Sequence, residues 1–536
     1  MTKRLYIPIY TATLILSAFL LFSVQPLFSK MILPQLGGTP AVWNTAMLFF
    51  QTMLLGGYAY AHIISKFLTF KAQSVLHISL LILCCIFLPL GLAEYWPLPD
   101  TSKNIVGWQL GLMLVSLGAP FFVLSGCAPL FQHWFSLSDH KDAANPYFLY
   151  AASNLGSMTA LLSYPLIIEP LLTVSEQSLT WSFSYITLIV LATLSALVIF
   201  KSANRNSNKN TKSATADQQP AQSPVTNTQR LSWLFLAFVP SSLMLGITTY
   251  LTTDIASFPL LWVIPLAIYV GTFIIAFSAK ERFSLWSLSE SQSLAILALM
   301  FVTIMFLNSA PTYVLILMHL GVFAITAQLC HSQLNHCKPS AKHLTEFFLI
   351  LSLGGVLGGF FNAILAPLLF DTPIEYMLIL VLSTFARHFD QDKHKLDNFL
   401  RSDDQKFFMR IIYAILLLIP IIIALGISIA KSPEHEAGLR LVHMFLIYGL
   451  LLGYYITSMS RTTFVLATAI LFLVFPYNKW LTASQIIQTE RNYFGPSKVE
   501  KIVRNGVTQY QFTHGTTIHG GQFQPEELSM LTGNYY

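Results

Sequence analysis

Long apolar segments recur along this chain, and they constrain its fold more than any other feature. Twelve of them precede residue 388, at about 7–30, 41–65, 74–94, 107–131, 147–168, 178–200, 231–251, 258–279, 289–308, 313–333, 344–370 and 373–387. A segment of about 20 such residues is long enough to cross the hydrocarbon core of a bilayer. Only 10% of the residues are charged, whereas soluble domains carry about 25%. We therefore predict an all-α polytopic membrane protein with the lipid bilayer as its surroundings.

Three further apolar runs, at about 408–430, 440–459 and 462–477, bring the prediction to about 14–15 transmembrane helices. A β-barrel would show alternating apolar and polar residues instead of solid apolar runs. The polar stretch 479–536 is predicted to lie outside the membrane. The net charge of +6 is modest and comes from Lys and Arg in the loops. We interpret these loop charges as determinants of membrane topology, and we predict no nucleic-acid partner.

The positions of Lys and Arg indicate how the chain is oriented. They precede the first apolar segment as Lys3 and Arg4, and they follow the sixth and twelfth segments within 201–212 and 387–410. Intervening loops such as 94–104 are poor in both residues. The positive-inside rule therefore predicts a cytoplasmic N-terminus.

Short patterns in the first half match patterns in the second half in the same order. Trp43 in PAVW opens the second segment, and Trp262 in PLLW opens the eighth, 219 positions later (262 minus 43). NLGS at 154–157 likewise matches SLGG at 352–355. Such duplication is common among membrane carriers.

We therefore predict two six-helix membrane repeats, 1–201 and 231–387. A flexible polar cytoplasmic linker over 202–230 would join them, because this stretch is too polar to bury a core. Two or three additional membrane helices would follow over 388–478. The layout resembles the major facilitator fold as an analogy of architecture.

A polar stripe runs along the fifth segment. It consists of Tyr147, Tyr150, Asn154, Ser157 and Tyr164. A polar stripe in a membrane helix faces a neighbouring helix or a cavity instead of lipid. Both alternatives stay open, and they also apply to a second set: Gln25, Asn44, Gln51, Thr248, Thr249, Tyr250 and Thr252. Tyr150 and Asn154 are candidate substrate-binding residues.

Four glycines in the eleventh segment form two overlapping small-xxx-small pairs: Gly354, Gly355, Gly358 and Gly359. Small residues at this spacing let helix backbones approach closely in lipid, so we predict a packing surface. Asn362 is the polar residue in the middle of the same segment.

His319 is an ionisable residue in the middle of the tenth segment, where we expect a neutral, hydrogen-bonded side chain instead of a proton relay. The lack of a mid-membrane acid counts against transport of polycations.

Two pairs of histidines invite a metal-site interpretation, which their spacing argues against. His331 and His336 are five residues apart, a helical rotation of about 140°, so they face apart. His514 and His519 would point to opposite faces if they shared one strand. We predict no metal or cofactor site.

Several stretches resemble a family of bacterial fused membrane/spermidine-synthase-like proteins: 30–62, 146–170, 240–277, 330–334 and 343–367. In that family a multi-helix membrane domain precedes a cytoplasmic aminopropyltransferase-like domain. The resemblance implies a multi-pass protein of the bacterial inner (plasma) membrane.

The C-terminal stretch extends this resemblance. RNYFG at 491–495 and HGTTIHGGQ at 514–522 resemble the small β-structure that opens the synthase portion of the family. A Gln and a Tyr in that region help to line the active site of spermidine synthases. By motif position they would be Gln522 and either Tyr535 or Tyr536.

The family's catalytic portion also has a nucleotide-binding core with a glycine-rich loop and catalytic aspartates. No such pattern occurs after residue 480. We therefore expect this chain not to catalyse the reaction by itself. It would anchor or serve a separately encoded aminopropyltransferase-like domain. The alternatives are a transporter or binding protein for a small molecule, polyamine or other, and a purely structural role.

Overall fold

The computed structural model describes residues 6–100, 104–138, 140, 142–143, 148–207, 225–255, 261–278, 282–306, 311–340, 343–387, 464–465, 468–469, 484–493, 495–504, 507–515 and 517–524. Nine helices in these ranges are long and apolar enough to cross a membrane. A multi-pass helical membrane protein is therefore confirmed, together with a small C-terminal β-sheet. The predicted helices over 388–478 lie almost wholly outside the described residues, so the total of 14–15 stays a prediction.

Twelve helices occupy the twelve apolar segments that precede residue 388. The first half contains α1 (Tyr6–Leu36), α2 (Pro40–Phe67), α3 (Phe70–Phe87), α4 (Ile105–Ser136), α5 (Leu149–Leu171) and α6 (Val174–Ser207). The second half contains α7 (Asn227–Thr253), α8 (Val263–Ala276), α9 (Leu285–Phe306), α10 (Thr312–His336), α11 (Leu344–Leu369) and α12 (Glu375–Ala386).

Both ends of the predicted linker, 202–230, are helical. Helix α6 continues to Ser207, and α7 begins at Asn227. A capping box explains the early start of α7: Thr226 Oγ1 accepts from the Gln229 N–H, and Gln229 Oε1 accepts from the Thr226 N–H at 2.9 Å. The polar first turn of α7 is thus stabilised by hydrogen bonds, which a search for apolar residues overlooks. The middle of the linker, 208–224, lies outside the described residues.

The two halves repeat the same helix contacts. Helix α1 packs along α5 and α6, and α7 packs along α11 and α12. Helix α2 packs against α4 as α8 does against α10, while α2–α11 and α8–α5 contacts join the halves. Helices α5 and α11 each contain a π-helical turn, at Tyr164–Ile168 and Phe361–Leu365, with a proline two residues later. The helix packing therefore follows a two-fold repeat.

The glycines paired by the sequence match mark the same crossing in each half. A Cβ on Gly156 of α5 would collide with the backbone of Ile15 in α1. A Cβ on Gly354 of α11 would lie 2.7 Å from the Leu234 carbonyl oxygen in α7. Each glycine therefore permits a backbone contact that any larger residue would prevent.

The remaining glycines of α11 face different surroundings. A Cβ on Gly358 would lie 2.8 Å from the backbone nitrogen of Ser242 in α7, and one on Gly359 would collide with the Gln51 side chain of α2. A Cβ on Gly355 meets no described atom within 4 Å. Three of the four predicted packing glycines thus have close neighbours at the Cβ position, whereas the fourth faces open space.

The C-terminal sheet contains β1 (Ser484–Asn492), β2 (Gly495–Arg504), β3 (Val507–His514) and β4 (Thr517–Gln524), each antiparallel to the next in chain order. Asn492 pairs with Gly495, so the β1–β2 turn contains only two residues. The tips of this sheet contact the end of the helix bundle at which α1 ends and α2 begins, opposite to Tyr6. His514 and His519 do not share one strand, because the β3–β4 turn lies between them.

Replacing Gly354 by alanine is expected to destabilise the protein, and the same change at Gly355 is expected to be nearly neutral. The first methyl group would overlap the α7 backbone, at a typical overpacking cost of about 1–3 kcal/mol, whereas the second meets open space. Thermal denaturation of the two purified variants in one detergent measures the difference. Equal melting temperatures would show that the crossing is not tightly packed.

Candidate functional site

A cavity of about 150 Å³ lies between the two halves. Helices α1, α2, α4 and α5 of the first half and α7, α8 and α11 of the second half line it. The polar lining residues are Ser17, Gln25, Gln51, Tyr58, Ser125, Tyr150, Ser153, Asn154, Ser157, Tyr269 and Ser352. None of the described lining residues is charged. The interface between two repeats is where membrane carriers place their substrate sites.

The two matched tetrapeptides form equivalent parts of the cavity wall. Asn154 and Ser352, the first residues of the two motifs, both line the cavity. So do Ser157 and Gly355, the last residues. Residues three apart share one helix face, and the glycine in each motif faces the neighbouring helix. The predicted residue Asn154 and its counterpart from the second repeat therefore both belong to the cavity wall.

Three buried amide atoms on the cavity wall make no hydrogen bond with any described residue: Gln25 Oε1, Gln51 Oε1 and Asn154 Nδ2. Gln51 Nε2 donates to Ser241 Oγ at 3.0 Å, so the Gln51 side chain is held while its oxygen remains unpaired. Leaving a buried polar atom unpaired costs about 1–3 kcal/mol. These residues of the wall therefore retain unused hydrogen-bonding capacity.

One end of the cavity is covered by contacts between the two halves. The rings of Trp43 and Trp262, the residues paired by the repeat, stack with centroids 3.7 Å apart and planes inclined by 24°. Beside them Asn44 Nδ2 of α2 donates to Thr249 Oγ1 of α7 at 2.9 Å. Each tryptophan lies about one helical turn before the first cavity residue of its own helix. We call this the tryptophan end.

Aromatic side chains from both halves also meet on the other side of the cavity. The Tyr150 ring of α5 lies 4.8 Å from the Phe348 ring of α11 and 5.3 Å from the Phe277 ring beyond α8. Further along, His62 Nδ1 of α2 lies 2.9 Å from Thr345 Oγ1 of α11. Contacts between the halves therefore flank the cavity on both sides.

The two environments predicted for the polar residues, a neighbouring helix and a cavity, both occur in the structure. Asn44 and Thr249 bond to each other between helices, and Tyr164 donates to Gln177 Oε1 of α6 at 2.9 Å. The predicted residues on the cavity wall are Gln25, Gln51, Tyr150, Asn154 and Ser157.

Other members of the two sets lie away from the cavity. Thr248 and Thr252 donate to carbonyls of their own helix, and the Tyr250 ring stacks on Tyr376. Tyr147 lies outside the described residues.

The other predicted candidates that the structure describes also do not line the cavity. His319 is buried with Nδ1 2.9 Å from the Tyr376 hydroxyl. Gln522 is exposed on β4, opposite Tyr510 in the strand register. Tyr535 and Tyr536 lie outside the described residues. Asn362 Nδ2 donates to Ser242 Oγ of α7 at 2.7 Å, which is a packing contact within the second half.

Sequence reasoning missed several aromatic residues on the wall, including Tyr58, Tyr269 and Phe273. The spacing of the two tryptophans carries a signal for two of them. Phe50 and Tyr269, like Leu54 and Phe273, are also 219 positions apart, and all four line the cavity. Extending the Trp43 alignment along α2 and α8 would therefore have found Tyr269 and Phe273.

No protein-family model and no curated protein matches this chain. Solved transporter structures resemble its fold at low identity. The xylose transporter XylE from E. coli, in an inward-open conformation, is 13% identical with a TM-score of 0.45 over 71% of this chain and 93% of that one. The E. coli fucose:proton symporter FucP is 14% identical with a TM-score of 0.36 over 71% and 99%.

A bacterial homolog of the human lysosomal transporter Spinster is 12% identical, with a TM-score of 0.37 over 89% of this chain and 97% of that one. At scores below 0.5 these similarities carry no argument about what this chain binds. What this chain binds is therefore inferred from its own residues.

Proposed function

We propose that this protein is a membrane carrier for a small molecule that binds in the cavity between its two halves. The observation that carries the proposal is the construction of the cavity: both repeats supply its wall, and contacts between the repeats flank it on both sides. Carriers built from repeats move substrate by rocking one repeat against the other around a site at their interface. The sequence predicts this function as an alternative to an anchor for a catalytic domain.

The contacts on the two sides explain how such rocking would expose the cavity. Separating Trp43 from Trp262 and Asn44 from Thr249 would open the tryptophan end. Separating Tyr150 from Phe348 would open the other end while the tryptophans remain stacked. The glycine-packed crossings lie within each half, so they would be preserved in both movements.

The wall also favours one chemical class of substrate, an uncharged polar molecule. An ion in this cavity would leave water without meeting an opposite charge among the described lining residues, at a cost of several kcal/mol. Polyamines, which carry several positive charges, do not fit this wall. This agrees with the sequence-based argument against polycation transport.

The unpaired amide atoms refine the substrate class. Gln25 Oε1 and Gln51 Oε1 need hydrogen-bond donors, and Asn154 Nδ2 needs an acceptor. The substrate should therefore carry both kinds of group. Aromatic rings also line the cavity, among them Phe50, Tyr58, Phe121, Tyr150, Tyr269 and Phe273. Such rings pack well against a flat apolar face.

An anchor for a separately encoded aminopropyltransferase-like domain is the second candidate function. The docked four-stranded sheet favours it, since the family resemblance implies a β-structure at this point in the chain. The anchor function requires this sheet in the cytoplasm. The positive-inside rule instead expects a cytoplasmic N-terminus, and the sheet contacts the opposite end of the bundle.

A cysteine at Gly355 is expected to react with a membrane-impermeant maleimide from both sides of the membrane. Its side chain would enter the cavity without a clash, and alternating access would expose it to each side in turn. The test replaces the five native cysteines by alanine and compares sealed vesicles of both orientations. The matched control retains the native Cys330, which is buried in α10 away from the cavity lining and should stay unreactive.

A disulfide between cysteines at Trp43 and Trp262 should then abolish labelling of Gly355→Cys from the tryptophan side and preserve it from the other side. Labelling from one side only in the uncross-linked protein would contradict alternating access. So would labelling that the disulfide leaves unchanged.

The neutral fraction of a deproteinised cell extract is expected to raise the melting temperature of the purified protein. Gln51→Leu and Asn154→Leu should each remove this shift, because they delete the hydrogen-bonding atoms. Thr159→Val, on the exposed face of α5, is the matched control and should keep it. Stabilisation by the cationic or anionic fraction alone would overturn the substrate class and leave the carrier proposal intact. Stabilisation by no fraction would count against both.

A periplasmic reporter enzyme fused after residue 524 is expected to be active, and a fluorescent reporter that matures only in the cytoplasm is expected to be dark. The same reporters placed in 208–224 should give the opposite result. A cytoplasmic signal at residue 524 would contradict the predicted orientation and favour the anchor function.

A further inference from the structure

The tip of the β1–β2 hairpin contacts both halves of the helix bundle. Arg491 and Tyr493 lie two residues apart at this tip. Arg491 bonds to the second half, and Tyr493 bonds to the first half. Both contacts are at the tryptophan end, where the two halves would have to separate if the cavity opened there.

Tyr493 connects the hairpin to the first half. Its hydroxyl donates to Gln109 Oε1 in the first turns of α4 at 2.5 Å, and burial raises the pKa of this phenol, which therefore keeps its proton. Gln109 Nε2 in turn donates to the carbonyl oxygen of Val42 at 2.8 Å. Val42 precedes Trp43, so this chain of hydrogen bonds reaches the stacked tryptophan pair.

Arg491 connects the hairpin to the second half. Its Nη2 donates to Glu375 Oε1 at 2.7 Å and its Nη1 to Glu375 Oε2 at 3.1 Å. The Arg491 and Glu375 side chains are only 6% and 2% exposed. Arg491 Nη1 also donates to the carbonyl oxygen of Thr372, between α11 and α12. A buried bidentate pair with this additional bond is a strong, directional contact.

A second turn of the sheet supports the same attachment. Gly515, in the β3–β4 turn, has φ +60°, and a Cβ on it would lie 2.6 Å from the carbonyl oxygen of Thr253 at the end of α7. The sheet therefore contacts the second half at both α7 and the α11–α12 connection. Its position relative to that half is fixed at more than one point.

We propose that the β1–β2 hairpin tip is a brace that holds the two halves together at the tryptophan end. It favours the conformations in which Trp43 and Trp262 remain stacked, and releasing it favours those in which this end is open. The brace goes beyond the proposed carrier function, because it assigns the C-terminal sheet control over one side of the cavity. It also gives a role to the buried Arg491–Glu375 pair, which no cavity contact requires.

The test introduces Tyr493→Phe and Arg491→Gln separately into the cysteine-substituted chain. Each should raise the rate at which the maleimide labels Gly355→Cys from the tryptophan side, by about 5- to 150-fold, the range typical of coupling between sites. Tyr493→Phe removes a single hydroxyl, so it is the variant less prone to misfolding. Lys498→Gln, which breaks an ion pair within the sheet itself, is the matched control and should leave the rate unchanged.

A second measurement does not depend on transport. The yield of the disulfide between cysteines at Trp43 and Trp262 should fall in both brace variants. Exchanging the charges with Arg491→Glu and Glu375→Arg together should restore it towards the original yield. Unchanged labelling and unchanged disulfide yield in Tyr493→Phe and Arg491→Gln would overturn the brace. A lower disulfide yield without any change in labelling would support the brace and count against the carrier.

Discussion

The close backbone crossings at Gly156 and Gly354 are the contacts on which the rest of the helix bundle depends. Lipid supplies no hydrophobic driving force between helices, so association relies on packing and hydrogen bonds. A glycine facing the neighbouring helix also fixes the rotation of its own helix. That rotation turns Asn154 and Ser157 in one half, and Ser352 and Gly355 in the other, towards the cavity. The same short motif thus builds a tight crossing and a polar wall.

The polar wall has a clear energetic consequence. Asn44 Nδ2 donates to Thr249 Oγ1 across the halves, which stabilises one arrangement of the bundle. Gln25 Oε1 and Asn154 Nδ2 make no such bond within the described chain. A buried polar atom without a hydrogen-bond partner favours the binding of a molecule that supplies the missing bond. A wall that combines such atoms with aromatic rings therefore selects its occupant by hydrogen bonds and shape, since it offers no charge.

The sequence predicted the helices and their order, because length and apolar composition alone decide whether a segment suits a bilayer. It also paired Trp43 with Trp262, although pairing by repeat does not imply the direct stacking that the structure contains. Polarity indicates that Asn154 avoids lipid, but it does not distinguish a neighbouring helix from a cavity. Tyr58 was missed because aromatic residues suit lipid and cavity equally. Arg491 and Glu375 are far apart in the chain, and no periodic pattern connects them.

The magnitudes explain why a small hairpin can control a large bundle. A stacked aromatic pair contributes about 0.5–1.5 kcal/mol beyond its buried area, and a hydrogen bond such as Asn44–Thr249 contributes about the same. On the opposite side, the Tyr150 ring contacts with Phe348 and Phe277 are of similar strength. Two opposing sets of contacts this close in energy leave neither end strongly favoured. Separating the halves at the tryptophan end requires only the weaker attachment of the hairpin, the Tyr493–Gln109 hydrogen bond, to break. Its contribution of about 0.5–1.5 kcal/mol is enough to shift so close a balance.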